Sequence, residues 1–306
     1  MVRMNNLSTS FELTPSGPFD LEQQNRYFGG WPGLSTGSEA IVMAFPIEGH
    51  DASAAVVMRQ ESAGGAVSGE VHGCPEALAD VAWRQALAAI SLDVDGSGWP
   101  AVGRRDPVIG ELQSKYQLLR PVLFHSPYEA AAAFIIGHRI SIRQARVLRA
   151  RIAAQAGTAL NVGGETFAAF PTPRRLLEAP ALPGISSIKL DRLRSLARAA
   201  HDGLLDRDRL RVLSLERALA ELQTLPGIGP FFAQGILYRG AGLVDGLSDD
   251  AITHHAVTKR YRLDSPADRE KTLAVAESWR PYRGWAVVLL HVWAREQGDL
   301  PSREGR

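Results

Sequence analysis

Short apolar runs separated by turn residues characterise the first hundred residues of the chain. The runs over residues 39–46, 53–59 and 66–72 are bounded by glycine, aspartate and serine, a pattern typical of short strands. Residues 75–90 instead place their apolar side chains on one helical face. This pattern predicts a small α+β domain built on an antiparallel sheet over residues 1–105. Residues 96–105, which contain glycine, serine and proline, are the expected linker.

From about residue 110 the apolar positions follow a helical period. Ser126, followed three residues later by Glu129, predicts a capping box in front of an apolar run. Further helical patterns cover residues 141–156, 171–178, 189–202, 215–224, 230–240, 249–261 and 267–297, the last broken at Pro281. We therefore expect residues 106–306 to form an all-helical domain, which makes the whole chain α+β.

The composition of the chain excludes several classes of protein. The 306 residues are 45% hydrophobic and 22% charged, as expected of a globular chain. The sequence has no apolar run of about 20 residues, and its start lacks the apolar segment of a secretory signal, so we expect a cytoplasmic protein without a membrane partner. The single cysteine, Cys74, excludes an intramolecular disulfide and a zinc or iron–sulfur site held by cysteines.

The charge balance also limits the possible partners. A net charge of +1, from 34 basic and 33 acidic residues, is too small for a protein that coats nucleic acid indiscriminately. Binding to a polyanion would need local patches, and residues 138–151, 189–198 and 259–262 are the basic candidates. Taken singly, each patch is more commonly the solvated face of an amphipathic helix.

The most informative segment is the turn LPGIGP at residues 225–230, between two predicted helices. Gly227 and Gly229 permit positive φ and leave the backbone uncovered, and Pro230 suits the first turn of a helix. The turn thus exposes a helix N-terminus, whose N–H groups and dipole favour a phosphate. Alone, the turn is equally consistent with a plain connection between helices.

Asp249 and Asp250 follow the hairpin and precede another helical pattern. In isolation, Ser248 or Asp249 would simply cap that helix. Asp250 lies 20 residues after Pro230, however. In this combination the chain resembles the helix-hairpin-helix DNA glycosylases of base excision repair, which share a Leu-Pro-Gly-x-Gly hairpin and an essential aspartate at this spacing.

Within that superfamily the chain resembles the AlkA-type branch, DNA-3-methyladenine glycosylase II. This branch typically has Leu-Pro-Asp-Asp where the chain has LSDD at residues 247–250. The segments WRPYR at 279–283, LLHVW at 289–293 and FPTP at 170–173 also match its motifs. The likeness covers about residues 120–297 and, more weakly, residues 11–100. It implies an amino-terminal α+β domain and an all-helical glycosylase domain.

The resemblance implies a role for particular residues. Asp250 would be the catalytic carboxylate, which stabilises the oxocarbenium-like state at C1′ and orients or deprotonates the attacking water. The flipped base would be replaced in the stack by a wedge, here Arg139 with Ile140 next in line. The implied base pocket contains Trp293 and Phe231. The implied phosphate-binding hairpin consists of Pro226, Gly227, Ile228 and Gly229. A sodium or potassium ion would be bound by the backbone carbonyls of Gln223, Leu225 and Ile228.

Two departures from the family pattern concern chemistry and substrate. Bifunctional members carry a nucleophilic lysine at the position of Phe231, so we expect no lyase step and an abasic site as product. Gly235 stands where a pocket tyrosine is common, which predicts a base pocket with a wider and less aromatic wall.

His254 lies close enough on the helix to influence Asp250, although a lone helical histidine is more often an ordinary surface group.

The leading prediction is therefore a monofunctional glycosylase that hydrolyses the N-glycosidic bond of alkylated purines, of the 3-methyladenine and 7-methylguanine type, in double-stranded DNA. A glycosylase for deaminated or oxidised purines and a non-catalytic lesion-binding protein remain as alternatives. No cofactor is required by this chemistry. The resemblance favours a monomer, associated with the nucleoid if the source is bacterial.

Overall fold

The computed structural model describes residues 8–28 and 40–298. The described residues do not include residue 39, with which the first predicted strand begins. They also do not include residues 1–7, on which the prediction about a secretory signal partly rests. None of the helices in the described part is both long and apolar enough to cross a membrane.

The amino-terminal part is an antiparallel sheet covered by a helix. Its elements are β1 (Thr9–Leu13), α1 (Leu21–Phe28), β2 (Ile41–Pro46), β3 (Ser53–Gln60), β4 (Val67–His72) and α2 (Ala79–Ala89). The strand order is β1-β4-β3-β2, with Ile41 opposite Met58 in the β2–β3 pair. The α+β class and the predicted helix over 75–90 are confirmed, whereas the sequence pattern had not identified β1 or α1.

The remainder of the described chain is mostly helical. Its elements are α3 (Trp99–Arg105), α4 (Pro107–Lys115), α5 (Pro127–Gly137), α6 (Ile142–Ala156), β5 (Thr158–Val162), β6 (Glu165–Ala169), α7 (Pro173–Glu178), α8 (Ser187–His201), α9 (Arg207–Val212), α10 (Leu215–Leu222), α11 (Pro230–Ile236), α12 (Ala251–Arg260), α13 (Arg269–Ala276) and α14 (Arg283–Gln297). A π-helical segment, Leu237–Ala241, continues α11.

Two sequence predictions are wrong in this region. Residues 158–169 form the antiparallel pair β5–β6, so the part after residue 106 is not all-helical. Leu160, Val162 and Phe167 of this pair pack against the outer face of the amino-terminal sheet. The expected linker contains helix α3, because Trp99 and Val102 are fully buried against the carboxy-terminal helices. The domain division at residue 105 stays a prediction.

The capping box predicted at α5 forms only in part. Ser126 accepts a hydrogen bond from the Glu129 N–H at 3.2 Å, but the Glu129 carboxylate bonds the His125 ring at 2.7 Å instead of returning to Ser126. A complete capping box, which the sequence analysis missed, starts α6 at Ser141 and Gln144.

The helices bury their apolar faces in two separate cores. One core joins α5, α6 and α7–α11, and the other joins α3, α4 and α12–α14. The segment from residue 242 to residue 250 connects the two cores. Asp250, at the end of this connection, therefore lies where the two helical groups meet.

Candidate active site

Asp250 is the N-cap of α12. Its Oδ1 accepts hydrogen bonds from the backbone N–H groups of Ile252 and Thr253, both at 2.9 Å. Its Oδ2 accepts from the hydroxyls of Ser248 and Thr253. The side chain is 12% exposed. The carboxylate is therefore fixed in orientation by four donors while part of its surface stays accessible.

A histidine from another helix completes this arrangement. Nε2 of His291, on α14, lies 2.9 Å from the Thr253 hydroxyl and 3.5 Å from Asp250 Oδ1. Because the Thr253 hydroxyl donates to Asp250, its oxygen can accept a hydrogen bond from His291 Nε2–H. The contacts thus run from the histidine through the hydroxyl to the carboxylate. We name Ser248, Asp250, Thr253 and His291 together the aspartate site.

The surroundings of Asp250 favour its charged form. Burial acts to raise the pKa of this carboxyl, but the hydrogen bond and charge of His291, the Ser248 hydroxyl and the Thr253 N–H together hold it well below its usual range. Asp250 is consequently ionised at neutral pH. A carboxylate with such a low pKa is a weak proton acceptor and an effective fixed negative charge.

The neighbouring acidic residue has a different role. Asp249 pairs with His254 Nε2 at 3.1 Å and with Arg269 at 3.0 Å. The helix is capped by Asp250, and not by Ser248 or Asp249. Of the two roles expected for Asp249, helix cap or structural partner, its ion pairs agree with the second. His254 contacts Asp249, and the histidine that reaches the aspartate site is His291. The sequence signal for His291 is its place in the LLHVW segment, which by itself does not assign the histidine a role.

The hairpin has the geometry that the sequence predicted for its glycines. Gly227 has φ +85°, a backbone conformation that favours glycine, and a Cβ there would also have to displace the Arg192 side chain, whose Cδ would lie 2.8 Å away. Gly229 is the N-cap of α11, with Pro230 in its first turn. Pro226, Gly227 and Gly229 are exposed, whereas Ile228 is buried and anchors the turn.

The predicted wedge lies on a tight turn between α5 and α6. The Ile140 N–H donates to the Gly137 carbonyl at 3.2 Å, and Arg139 inside this turn has φ +61°. Such a conformation at the third residue of a turn normally selects glycine or asparagine. Arg139 is exposed and Ile140 half-buried. An arginine is thus held in an unfavourable backbone conformation at the tip of a loop.

A lysine of one basic patch supports this loop. Lys189 Nζ donates to the carbonyls of Ile136 at 2.8 Å and His138 at 2.9 Å. These bonds satisfy carbonyl groups at the end of α5. The ammonium group of Lys189 therefore acts inside the protein, on the backbone that carries Arg139.

Phe231 begins a row of aromatic rings. Its ring centroid lies 6.0 Å from that of Phe232, which stacks on Phe134 at 5.1 Å, and Phe134 lies 6.2 Å from Phe124. A Cβ on Gly235 would be 2.4 Å from Cζ of Phe134. The expected open wall at Gly235 is therefore wrong, because the ring of Phe134 fills the space beside it.

Trp293 of α14 packs against a cationic side chain of α12. Its ring lies under the Arg260 guanidinium, 5.3 Å from the ring centroid. It lines an open cavity of about 800 Å³ with residues of α4 and the end of α12. Of the described residues, neither Asp250 nor Phe231 lines this cavity. The shared role of Trp293 and Phe231 in a base pocket stays a prediction.

The fit of the hairpin to a cation rests on backbone oxygens alone. Carbonyl oxygens suit a hard monovalent ion, and the predicted set spans six residues, from Gln223 to Ile228. The Leu225 carbonyl already accepts the Ile228 N–H at 3.0 Å. Among the described residues no group of three His, Cys, Asp or Glu side chains could hold a metal ion.

The fold that holds the hairpin, the turn at residues 137–140 and the aspartate site is similar to that of solved DNA glycosylases. A 3-methyladenine DNA glycosylase from Archaeoglobus fulgidus superposes with a TM-score of 0.76 at 22% identity, over 95% of this chain and 100% of that one. An 8-oxoguanine glycosylase/lyase from Clostridium acetobutylicum, in complex with double-stranded DNA, superposes with a TM-score of 0.67 at 17% identity, over 95% and 98%.

In sequence, the chain is similar to DNA-3-methyladenine glycosylase 2 of Escherichia coli. The two are 34% identical over 175 residues, which are 55% of this chain and 57% of the E. coli protein. The match thus spans little more than half the length of that relative. No family model matches the chain. These findings confirm the resemblance and the fold that the motifs predicted.

Proposed function

We propose that this protein is a monofunctional DNA glycosylase that removes alkylated purines from double-stranded DNA. The proposal rests on the carboxylate of Asp250, which is ionised and fixed by hydrogen bonds at the start of α12. This aspartate follows the glycine hairpin at residues 226–229 at the spacing that the sequence predicted. The E. coli and A. fulgidus proteins are named as 3-methyladenine glycosylases, which supports alkylated purines as the substrate class.

In the proposed reaction, Asp250 acts mainly through its charge. Loss of the base leaves positive charge on the deoxyribose, and a preoriented carboxylate near C1′ stabilises this charge as it develops. The low pKa of Asp250 makes it a poor base. Water becomes acidic as it attacks the cationic carbon, so a weak acceptor is sufficient to take its proton.

DNA is the proposed partner, and its backbone would contact the exposed hairpin residues. Contacts of this kind position a protein on DNA without reading sequence. Arg139 would enter the stack when the damaged nucleotide is flipped out. The C. acetobutylicum structure includes double-stranded DNA, which supports this type of partner. A monomeric state and a monovalent cation at the hairpin carbonyls belong to the same proposal.

The absence of a lyase step follows from Phe231. A phenylalanine cannot form a Schiff base with the sugar, so water is the proposed nucleophile and an abasic site the product. Borohydride trapping tests this directly. We expect no covalent protein–DNA adduct after incubation with a damaged duplex, and an adduct would contradict the monofunctional assignment.

The decisive test is release of free base from methylated duplex DNA. We expect the wild-type protein to release 3-methyladenine or 7-methylguanine, and Asp250→Asn to lose this release while still binding DNA. Asp249→Asn is the matched control, because it removes a carboxylate one residue away. Tight binding by the wild type without any release would instead support a lesion-binding protein.

A further inference from the structure

The basic segment at residues 189–198, on α8, does not form a uniform positive surface. Lys189 Nζ donates to two carbonyls at the end of α5, and Arg194 Nη2 donates to the Ala179 carbonyl at 2.7 Å. Both cationic groups are thus bound to backbone oxygens of the protein itself. Arg192, which lies between them in the sequence, has a different environment.

Arg192 packs on the hairpin. Its Cδ would lie 2.8 Å and its Nε 3.0 Å from a Cβ on Gly227, so the arginine side chain rests directly against this glycine. The residue is half-buried. In the part of the chain that the structure describes, Arg192 has neither a hydrogen bond nor an ion pair. All five N–H donors of its guanidinium group are therefore available to an acceptor from outside the protein.

The charge of Arg192 also reaches the turn at residues 137–140, which we name the wedge turn. Desolvation, followed by the charges of Arg139, Lys189 and Arg192, lowers the pKa of His138 in this turn. The charges of the described residues that act on the His138 ring are all positive. Like charges that gather in this way repel one another, and an approaching phosphate relieves the repulsion.

The two elements that Arg192 adjoins are those with a proposed contact to DNA. We propose that Arg192 binds a backbone phosphate of DNA in the space between the hairpin and the wedge turn. This inference rests on the proposed function, in which the hairpin contacts the DNA backbone and Arg139 enters the stack. A guanidinium group between these two contacts meets the backbone close to the flipped nucleotide, and its planar donors suit two oxygens of one phosphate.

The packing of the arginine favours a phosphate over a base edge as the ligand. Because Cδ and Nε lie beside Gly227, the guanidinium group stays close to the hairpin backbone. The hairpin is the element proposed to contact the DNA backbone, and contacts of that kind carry no sequence information. The effect of Arg192 on binding should therefore be the same for every DNA sequence.

The salt dependence of DNA binding tests this contact. Binding of the full chain to two duplexes of different sequence, each with a tetrahydrofuran abasic-site analogue, is measured by fluorescence anisotropy between about 50 and 200 mM salt. We expect Arg192→Met to weaken binding about tenfold at the low end of this range. The slope of log Kd against log salt should become smaller by about 0.9, as for the loss of one phosphate contact. Methionine keeps an apolar side chain against Gly227, so the charge is removed without loss of packing.

A matched control comes from the same helix. Arg194→Met removes the same charge two residues away, but Arg194 bonds the Ala179 carbonyl and pairs with Asp191 at 3.6 Å. This variant should keep the wild-type slope. A change of slope equal to that of Arg192→Met would show that the effect is a general loss of positive charge and would overturn the inference.

Two further variants separate charge from structure at the same position. Arg192→Lys keeps the charge and should restore the slope, but only part of the affinity, because an ammonium group lacks the planar fork of donors. Arg192→Gln should repeat the result of Arg192→Met, and it replaces that variant if methionine disturbs the hairpin. Thermal unfolding verifies that each variant is folded.

Release of base from methylated duplex DNA by the wild type, measured on the same preparation, keeps the inference separate from the proposed function. An unchanged slope in Arg192→Met, with base release by the wild type, would reject the phosphate contact and leave the proposed function intact. Weaker binding to only one of the two sequences would assign Arg192 to a base edge instead. Failure of the wild type to bind DNA or to release base would reject the proposed function itself.

Discussion

Replacing Asp250 by asparagine tests whether this side chain serves the reaction through its charge or serves the fold through its hydrogen bonds. Asparagine is as good an N-cap as aspartate, because its side-chain oxygen can accept the same N–H groups of Ile252 and Thr253. The change removes one negative charge and turns the acceptor toward the Ser248 and Thr253 hydroxyls into a donor. Both hydroxyls can rotate to accept from the amide.

The two expected effects therefore differ greatly in size. Loss of a preoriented charge at a developing cation should slow base release by about a hundredfold to a thousandfold. The free energy of unfolding should fall by only about 1–2 kcal/mol, because asparagine keeps the cap but loses the hydrogen bonds made to a charged acceptor. Asp250→Ala should slow the reaction similarly but also lose the cap and leave buried donors unsatisfied, at a cost of about 2–3 kcal/mol.

The pH dependence gives a second readout of the same charge. The folded-state pKa of Asp250 lies below its unfolded value of 3.8. The resulting stabilisation is therefore present above pH 3.8 and is lost as the pH falls through the folded pKa. The difference in unfolding free energy between wild type and Asp250→Asn should stay constant from neutral pH to about pH 5, and shrink only in stronger acid.

Single-turnover base release and urea unfolding, measured on the same preparations, distinguish the role of the charge from the role of the cap. Asp250→Asn that keeps more than half of the wild-type rate would refute a role for the charge. Asp250→Asn that unfolds as readily as Asp250→Ala would refute the separation of cap and charge. Asp249→Asn should resemble the wild type in both assays.

Three other substitutions test the surroundings of the site. Arg139→Gly relieves a positive φ and should not lower the free energy of unfolding, yet it should weaken excision from duplex more than from single-stranded DNA. Thr253→Val removes the hydroxyl between His291 and Asp250. Because the carboxylate loses a hydrogen-bond donor, the acid limb of the pH–rate profile should move to higher pH. An unchanged pH–rate profile would contradict a role for these hydrogen bonds. Asp106→Ala should cost about 2–4 kcal/mol by urea unfolding, because Asp106 caps α4 and accepts from the buried Trp279 indole at 3.0 Å.

Local signals predicted much of the fold. The helical period located α8, α10 and α12 to within two residues, because each buries one face in a core. The β5–β6 hairpin also had a signal, since Leu160 and Val162 alternate with polar residues before two glycines at positive φ. The surrounding helical pattern obscured it.

Other features depend on contacts that a sequence does not display. Glycine, serine and proline made residues 96–105 look like a linker, but burial of Trp99 outweighs those local preferences. Phe134 and Gly235 are about 100 residues apart, and only the packing of α5 on α11 shows that the ring of one occupies the space beside the other.

The low pKa of Asp250 has a consequence for the proposed substrate class. A carboxylate that accepts four hydrogen bonds stabilises the sugar cation without removing a proton early, so the reaction depends on how readily the base departs. Cationic purines depart readily because they leave as neutral bases. A fixed carboxylate of low pKa is therefore matched to the alkylated purines of the proposed function.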